Sequence, residues 1–236
     1  MSIKCLNRYL EKNPEVKPTN EPDRKLIIVS DSKGKRLQNI VSTDLERTLK
    51  WYARGGLTTR QALVLINDNL NEWLNLYGKI FIVVWTGTCD MTQKNGRYIK
   101  LSNISTDDIV EDYEKIASKS NVNVKIVILE VPQYSITIWN QTKGHANPNS
   151  FKEESELLVD QTELLNAHIR FINSKVNTES PRFGIDLKRT HKRNKSRTIT
   201  RFAYMLLTDG IHPGQLISRY WLRQIVIKIL LPHCYI

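Results

Sequence analysis

The chain has 236 residues, 40% of them hydrophobic and 25% charged, with a formal net charge of +11. That length holds one sizeable domain with its own core, and the composition is that of an ordinary soluble globular protein. No apolar run approaches the roughly 20 residues of a membrane-spanning helix, so an integral helical membrane protein is excluded.

Residues 1–24 carry Pro14, Pro18 and Pro22 among mixed charges and read as a flexible N-terminal arm, leaving 25–236 as the folded domain. Leu26–Val29 is a short apolar run that stops at Ser30-Asp31-Ser32-Lys33-Gly34, the pattern of a buried strand ending in a turn. Leu49–Ala53 is a second strand, closed by Gly55-Gly56. From Thr59 to Leu76 apolar positions recur three and four residues apart, which predicts an amphipathic helix. Ile80–Trp85 is a third strand, bounded by Gly78 and Gly87. A helix around Ile109–Ala117 follows, capped by Ser105 or Thr106. Val124–Val131 is a fourth strand that Pro132 ends, and Trp139 falls in a long loop after it. A helical stripe runs between Glu153 and Val176, Phe183–Leu187 reads as a short strand, and a last helix spans Gln215 to Leu230. Apolar strands separated by amphipathic helices predict a three-layer α/β domain, with a parallel sheet of about five strands between two helix layers. Ligands then sit outside the carboxyl ends of the strands, where Asp31-Ser32, Gly55-Gly56 and Gly87-Thr88-Cys89-Asp90 share one rim.

Two short segments carry chemistry. Ser32 sits on a tight strand-to-helix turn, which presents a hydroxyl outward beside backbone N–H groups able to hold an oxyanion. In Asp209-Gly210-Ile211-His212-Pro213, a carboxylate three residues before an imidazole can orient the ring and leave its other nitrogen free as a base. Taken singly, either segment is more often a capping turn.

Together and in order they resemble the SGNH/GDSL hydrolase superfamily, over a stretch from Leu26 to about Leu231. The family's Gly-Asp-Ser block resembles Ser30-Asp31-Ser32, and its second block matches Gly56-Leu57-Thr58-Thr59. Its Gly-x-Asn-Asp block resembles Gly87-Thr88-Cys89-Asp90, and Asp209 to His212 matches its Asp-x-x-His. The resemblance implies a flavodoxin-like fold and a serine esterase acting on a small acyl group, such as an O-acetyl ester. Ser32 is then the nucleophile, His212 the base and Asp209 its orienting acid, with the N–H groups of Ser32 and Gly56 and the side chain of residue 89 at the oxyanion. No metal or organic cofactor is implied. Two positions depart from the pattern. Ser30 replaces a glycine, and Cys89 replaces the asparagine whose amide donates to the oxyanion; a thiol is a weak donor. Cys89 reads either as a small buried hydrophobe or as a reactive thiol that touches substrate.

The charge is concentrated. Residues 182–201 hold eight Lys/Arg against one Asp, so this segment supplies seven of the eleven net charges. It reads as a basic loop inserted at 188–201. Lys188, Arg189, Lys192, Arg193, Lys195 and Arg197 are candidates for phosphate contacts, and the alternative function is a weakly active or inactive SGNH-like domain that binds nucleic acid there. Some members of the superfamily lack catalysis and bind RNA, and others are encoded by mobile elements. Three cysteines, Cys5, Cys89 and Cys234, have no metal-ligand spacing and no even pairing, and the polar start lacks a signal-peptide core. Both point to an intracellular location.

Overall fold

The computed structural model describes residues 2–14, 17–194 and 197–235. Helix α1 (Ile3–Lys12) opens the chain, followed by β1 (Lys25–Ser30), α2 (Ser32–Gln38), α3 (Asp44–Arg47), β2 (Lys50–Ala53) and α4 (Thr59–Tyr77). Then come β3 (Ile80–Trp85), α5 (Thr88–Met91), the hairpin β4 (Thr92–Asn95) and β5 (Tyr98–Leu101), α6 (Thr106–Ala117) and β6 (Val124–Ile128). Helices α7 (Ile136–Thr142), α8 (Lys152–Lys175) and α9 (Phe183–Asp186) precede a second hairpin, β7 (Lys188–Asn194) and β8 (Arg197–Phe202), and α10 (Gln215–Ile225). Beyond α10 the chain continues as a π-helical turn over Val226–Leu230 and a final short helix, Leu231–Cys234.

Four strands form a parallel sheet in the order β2-β1-β3-β6. Every residue of β3 is buried, as expected of a central parallel strand covered on both faces by helices. The result is a three-layer α/β sandwich. At the end of β1 the Ser30 hydroxyl donates to the Trp85 carbonyl at 3.0 Å and accepts the Gly34 N–H at 3.1 Å. A Cβ at position 34 would stand 2.5 Å from Ser30 Cβ, so Gly34 is required by space.

The strand expected at Phe183–Leu187 is instead the short helix α9, and the parallel sheet has four strands. Two observations explain this. The free edge of β6 and the chain after it are already paired by side chains: Asn173 bonds both the N–H and the C=O of Ile128, and Asn166 does the same for Val131. Thr178 donates to the Ile126 carbonyl and Ser180 accepts the Glu130 N–H, so the edge leaves no ladder for a fifth strand. In addition, the fully buried Glu130 carboxylate accepts the Gly184 N–H at 3.0 Å and pairs with Arg170 and Arg182, which fixes the turn at α9. The fourth strand itself stops at Ile128, three residues before the expected end, because Asn166 takes over the backbone at Val131.

Two further readings change. The segment taken as an arm contains α1, capped by Ser2; Leu6 is fully buried and Tyr9 packs edge-on against Tyr220 of α10. The basic segment taken as a loop forms the antiparallel pair β7–β8, with Arg189 opposite Arg201 and Thr190 opposite Thr200. Leu6→Ala should therefore cost about 2–5 kcal/mol, the usual range for a buried Leu. Urea unfolding measures it, and a loss below about 0.5 kcal/mol, typical of surface positions, would mean that α1 is not docked.

Candidate active site

The carboxyl ends of β1, β2 and β3 and the turn before α10 meet at one rim. Ser32 is the first residue of α2, preceded by Asp31, whose carboxylate accepts the Lys33 N–H at 2.9 Å. The turn at Asp209 is built by that side chain: one oxygen accepts the N–H of Ile211 at 3.2 Å and of His212 at 2.8 Å. Gly210 has φ +85°, and a Cβ there would meet Ile138 at 2.9 Å, so both backbone and space call for glycine. This turn swings the imidazole into line. His212 Nδ1 lies 2.8 Å from the other Asp209 oxygen, and Nε2 lies 3.0 Å from Ser32 Oγ. A carboxylate only accepts, so Nδ1 carries the proton and Nε2 is left to accept from the Ser32 hydroxyl. Burial alone would raise the Asp209 pKa, but the hydrogen bonds from the His212 ring and backbone outweigh it and hold the carboxyl below its ordinary value.

Gly56 follows β2 in the left-handed region (φ +78°), a conformation glycine adopts without strain. The loop leading into α4 is anchored from α5: the buried Asp90 carboxylate accepts the Thr59 N–H at 3.0 Å and the Thr59 hydroxyl at 3.0 Å. Desolvation raises the Asp90 pKa, against those same hydrogen bonds. Cys89, one residue earlier, is partly buried beside the Gly56 N–H; burial, with Asp31 nearby, pushes its thiol up to about 12, so it is neutral at physiological pH. Ser32, Gly56, Cys89 and His212 line one pocket of about 950 Å³, together with Trp139 and Ile211. Trp139, expected in a loop, sits on α7, its ring 5.6 Å from that of His212.

Sequence reading gave Lys33 no role, yet it lies under the pocket with 1% of its side chain exposed. Its ammonium is paired with Asp31, donates to Thr88 Oγ1 at 2.7 Å, and lies 5.4 Å and 5.6 Å from the ring centroids of Trp85 and Tyr134. Burial works against this charge, but the Asp31 carboxylate more than offsets it and holds the ammonium above its ordinary pKa. The hairpin β4–β5 and the segment after it also contribute walls, through Gln93, Lys94, Ile99 and Asn103. Their sequence signal was Gly96, which with Arg97 makes the two-residue turn between Asn95 and Tyr98 and takes a positive φ of +62°.

Of the basic candidates, Lys188 pairs with Glu163 at 2.7 Å and Arg189 is half-buried. Lys192, Arg193 and Arg197 are strand residues of the hairpin, and Lys195 lies outside the described residues. No cluster of His, Cys, Asp or Glu that could hold a metal occurs among the described residues. Nor is any helix there long and apolar enough to cross a membrane.

No protein-family model matches the sequence, and no curated protein sequence matches it. Solved structures do match in fold. A GDSL-like lipase from Bacteroides thetaiotaomicron superposes with a TM-score of 0.59 at 14% identity, over 95% of this chain and 96% of its own. A lipase/acylhydrolase from Enterococcus faecalis gives 0.55 at 14% identity, over 86% of this chain and 95% of its own. The chain has the SGNH/GDSL hydrolase fold.

The buried ion pair gives a direct test. Lys33→Met leaves the Asp31 carboxylate buried without its partner and should cost about 3–5 kcal/mol in urea unfolding. Adding Asp31→Asn to Lys33→Met should recover part of that loss. A double variant less stable than Lys33→Met alone would show that the charges are not coupled.

Proposed function

We propose that this protein is a serine esterase of the SGNH type that hydrolyses esters of a small acyl group. The observation that carries the proposal is the aligned chain Ser32 Oγ–His212 Nε2, His212 Nδ1–Asp209 Oδ2, at 3.0 and 2.8 Å, opening on the pocket. Ser32 Oγ attacks the acyl carbon as His212 Nε2 takes its proton, and the imidazolium is stabilised by Asp209. The backbone N–H groups of Ser32 and Gly56 hold the oxyanion. His212 returns its proton to the leaving alcohol; water then attacks the acyl-enzyme by the reverse sequence and releases the acid. The small acyl group is favoured by the polar ground beside the nucleophile, where Asp31, Lys33 and Thr88 fill the space that an apolar tunnel for a long chain would need.

Cys89 leaves the oxyanion without a side-chain amide, and one such donor contributes on the order of 2.7–4 kcal/mol to the transition state. The enzyme therefore works with two backbone donors and is a slow esterase, best on activated esters.

Purified protein should hydrolyse p-nitrophenyl acetate faster than the octanoate, and Ser32→Ala should reduce the rate to the uncatalysed background. Asp209→Asn should lower kcat by on the order of 10⁴-fold, through loss of the productive tautomer. Equal rates for wild type and Ser32→Ala would remove the esterase proposal. Cys89→Asn should raise kcat, by up to about 10²-fold; an unchanged or lower rate in a folded variant would count against the weakened oxyanion site.

A further inference from the structure

Ten large apolar side chains are exposed among the described residues, and three of them, Leu157, Leu164 and Phe171, are on the same helix, α8. Their exposures are 53%, 51% and 58%. They recur every seven residues, so they drift by only about 20° per step and are spaced about 10 Å apart along one line of the helix. The face that α8 packs against the domain is a different one, carrying Leu158, Leu165, Ile169 and Ile172, all buried. Gln161 and His168 fall between the three exposed residues on the same line, which completes the 3–4 spacing of a helix-pairing seam with apolar residues at every second position. A stripe of this kind on a helix whose core contacts are already made has apolar surface left to cover.

The charges say what covers it. On α8, Glu154 accepts the Leu101 N–H, Glu163 pairs with Lys188 and Arg170 with Glu130, so the charges that flank the seam are Glu153 and Asp160 at one end and Lys175, itself 3.2 Å from Glu114, at the other. A parallel pair of these helices would set acid against acid. An antiparallel pair sets each half against its opposite. We infer that α8 is a self-complementary interface, on which a second copy of this chain docks antiparallel about a two-fold axis beside Leu164. In that register Leu164 meets its own counterpart, and Leu157 meets Phe171 of the second copy, twice. Glu153 then faces Lys175, and Asp160 faces His168. An interface of this type is closed by its own symmetry, so the assembly stops at the dimer. Lys175 already lies over the Phe171 ring at 4.3 Å, which holds the cation at the margin of the apolar contact, where its Glu153 counterpart arrives.

Sedimentation of the full chain over a concentration series tests this, with circular dichroism to verify folding of each variant. Wild type should be a dimer that dissociates on dilution. Leu164→Glu and Leu164→Lys should each weaken it by at least about tenfold, because like charges meet on the axis. An equimolar mixture of the two should dimerise again. Leu157→Glu and Phe171→Lys should each weaken the dimer, and the doubly substituted chain should regain it, which a parallel pairing cannot do. A wild type that is monomeric throughout would overturn the inference, as would a dimer indifferent to Leu164→Glu. Single variants that dissociate without rescue in the mixture or the double would overturn the antiparallel register.

Discussion

The rim depends on two carboxylates that are buried in order to be bonded. Asp31 caps α2 and pairs with Lys33, whose ammonium reaches across to Thr88 at the start of α5. Asp90, on that same α5, accepts from the first residue of α4. The ends of β1 and β3 and the start of α4 are thereby cross-linked by charged hydrogen bonds out of water. Such groups are costly unless every partner is in place, so the arrangement tolerates little slack. Ser32, Gly56 and Cys89 are carried on the backbone that these bonds fix. Preorganisation of this kind is what a hydrolytic site needs, since donors already in position cost no reorganisation when charge develops.

The same frame makes the change at Cys89 tolerable. A neutral, half-buried thiol occupies the place of an amide without adding a charge beside Asp31 and Asp90. A thiol is a weaker donor than an amide, so the backbone N–H groups are the stronger donors at this end of the pocket. The Ser32–His212–Asp209 chain of hydrogen bonds is set by the turns at α2 and before α10, and Gly56 by the loop after β2, so the rim is assembled from separate parts of the chain.

Much of this could be read from the chain, for identifiable reasons. Ile80–Trp85 announces itself because a strand covered on both faces has no polar alternation, and α4 because its apolar positions keep a helical period over nineteen residues. The Asp209–His212 spacing showed which two side chains share a turn. It could not show Ser32 beside them, since 180 residues separate it from His212; only the ordered family blocks did that. Other features were hidden by context. Lys33 reads as solvent-facing because lysine usually is, and its burial follows from a carboxylate two residues earlier. Phe183–Leu187 has the composition of a strand, but asparagines seven residues apart on α8 had already taken the edge where it would pair. The arm before β1 hid α1, whose many polar residues leave Leu6 as its one fully buried anchor.

The serine that stands where the related fold has glycine has a partner in Gly34. Ser30 fills a space and bonds the Gly34 N–H, and that space exists only because residue 34 has no side chain. The two positions form a compensated pair. With Ser30 in place, any side chain at 34 would clash with it at the base of this turn. A larger residue at 34 is therefore barred for as long as Ser30 stays.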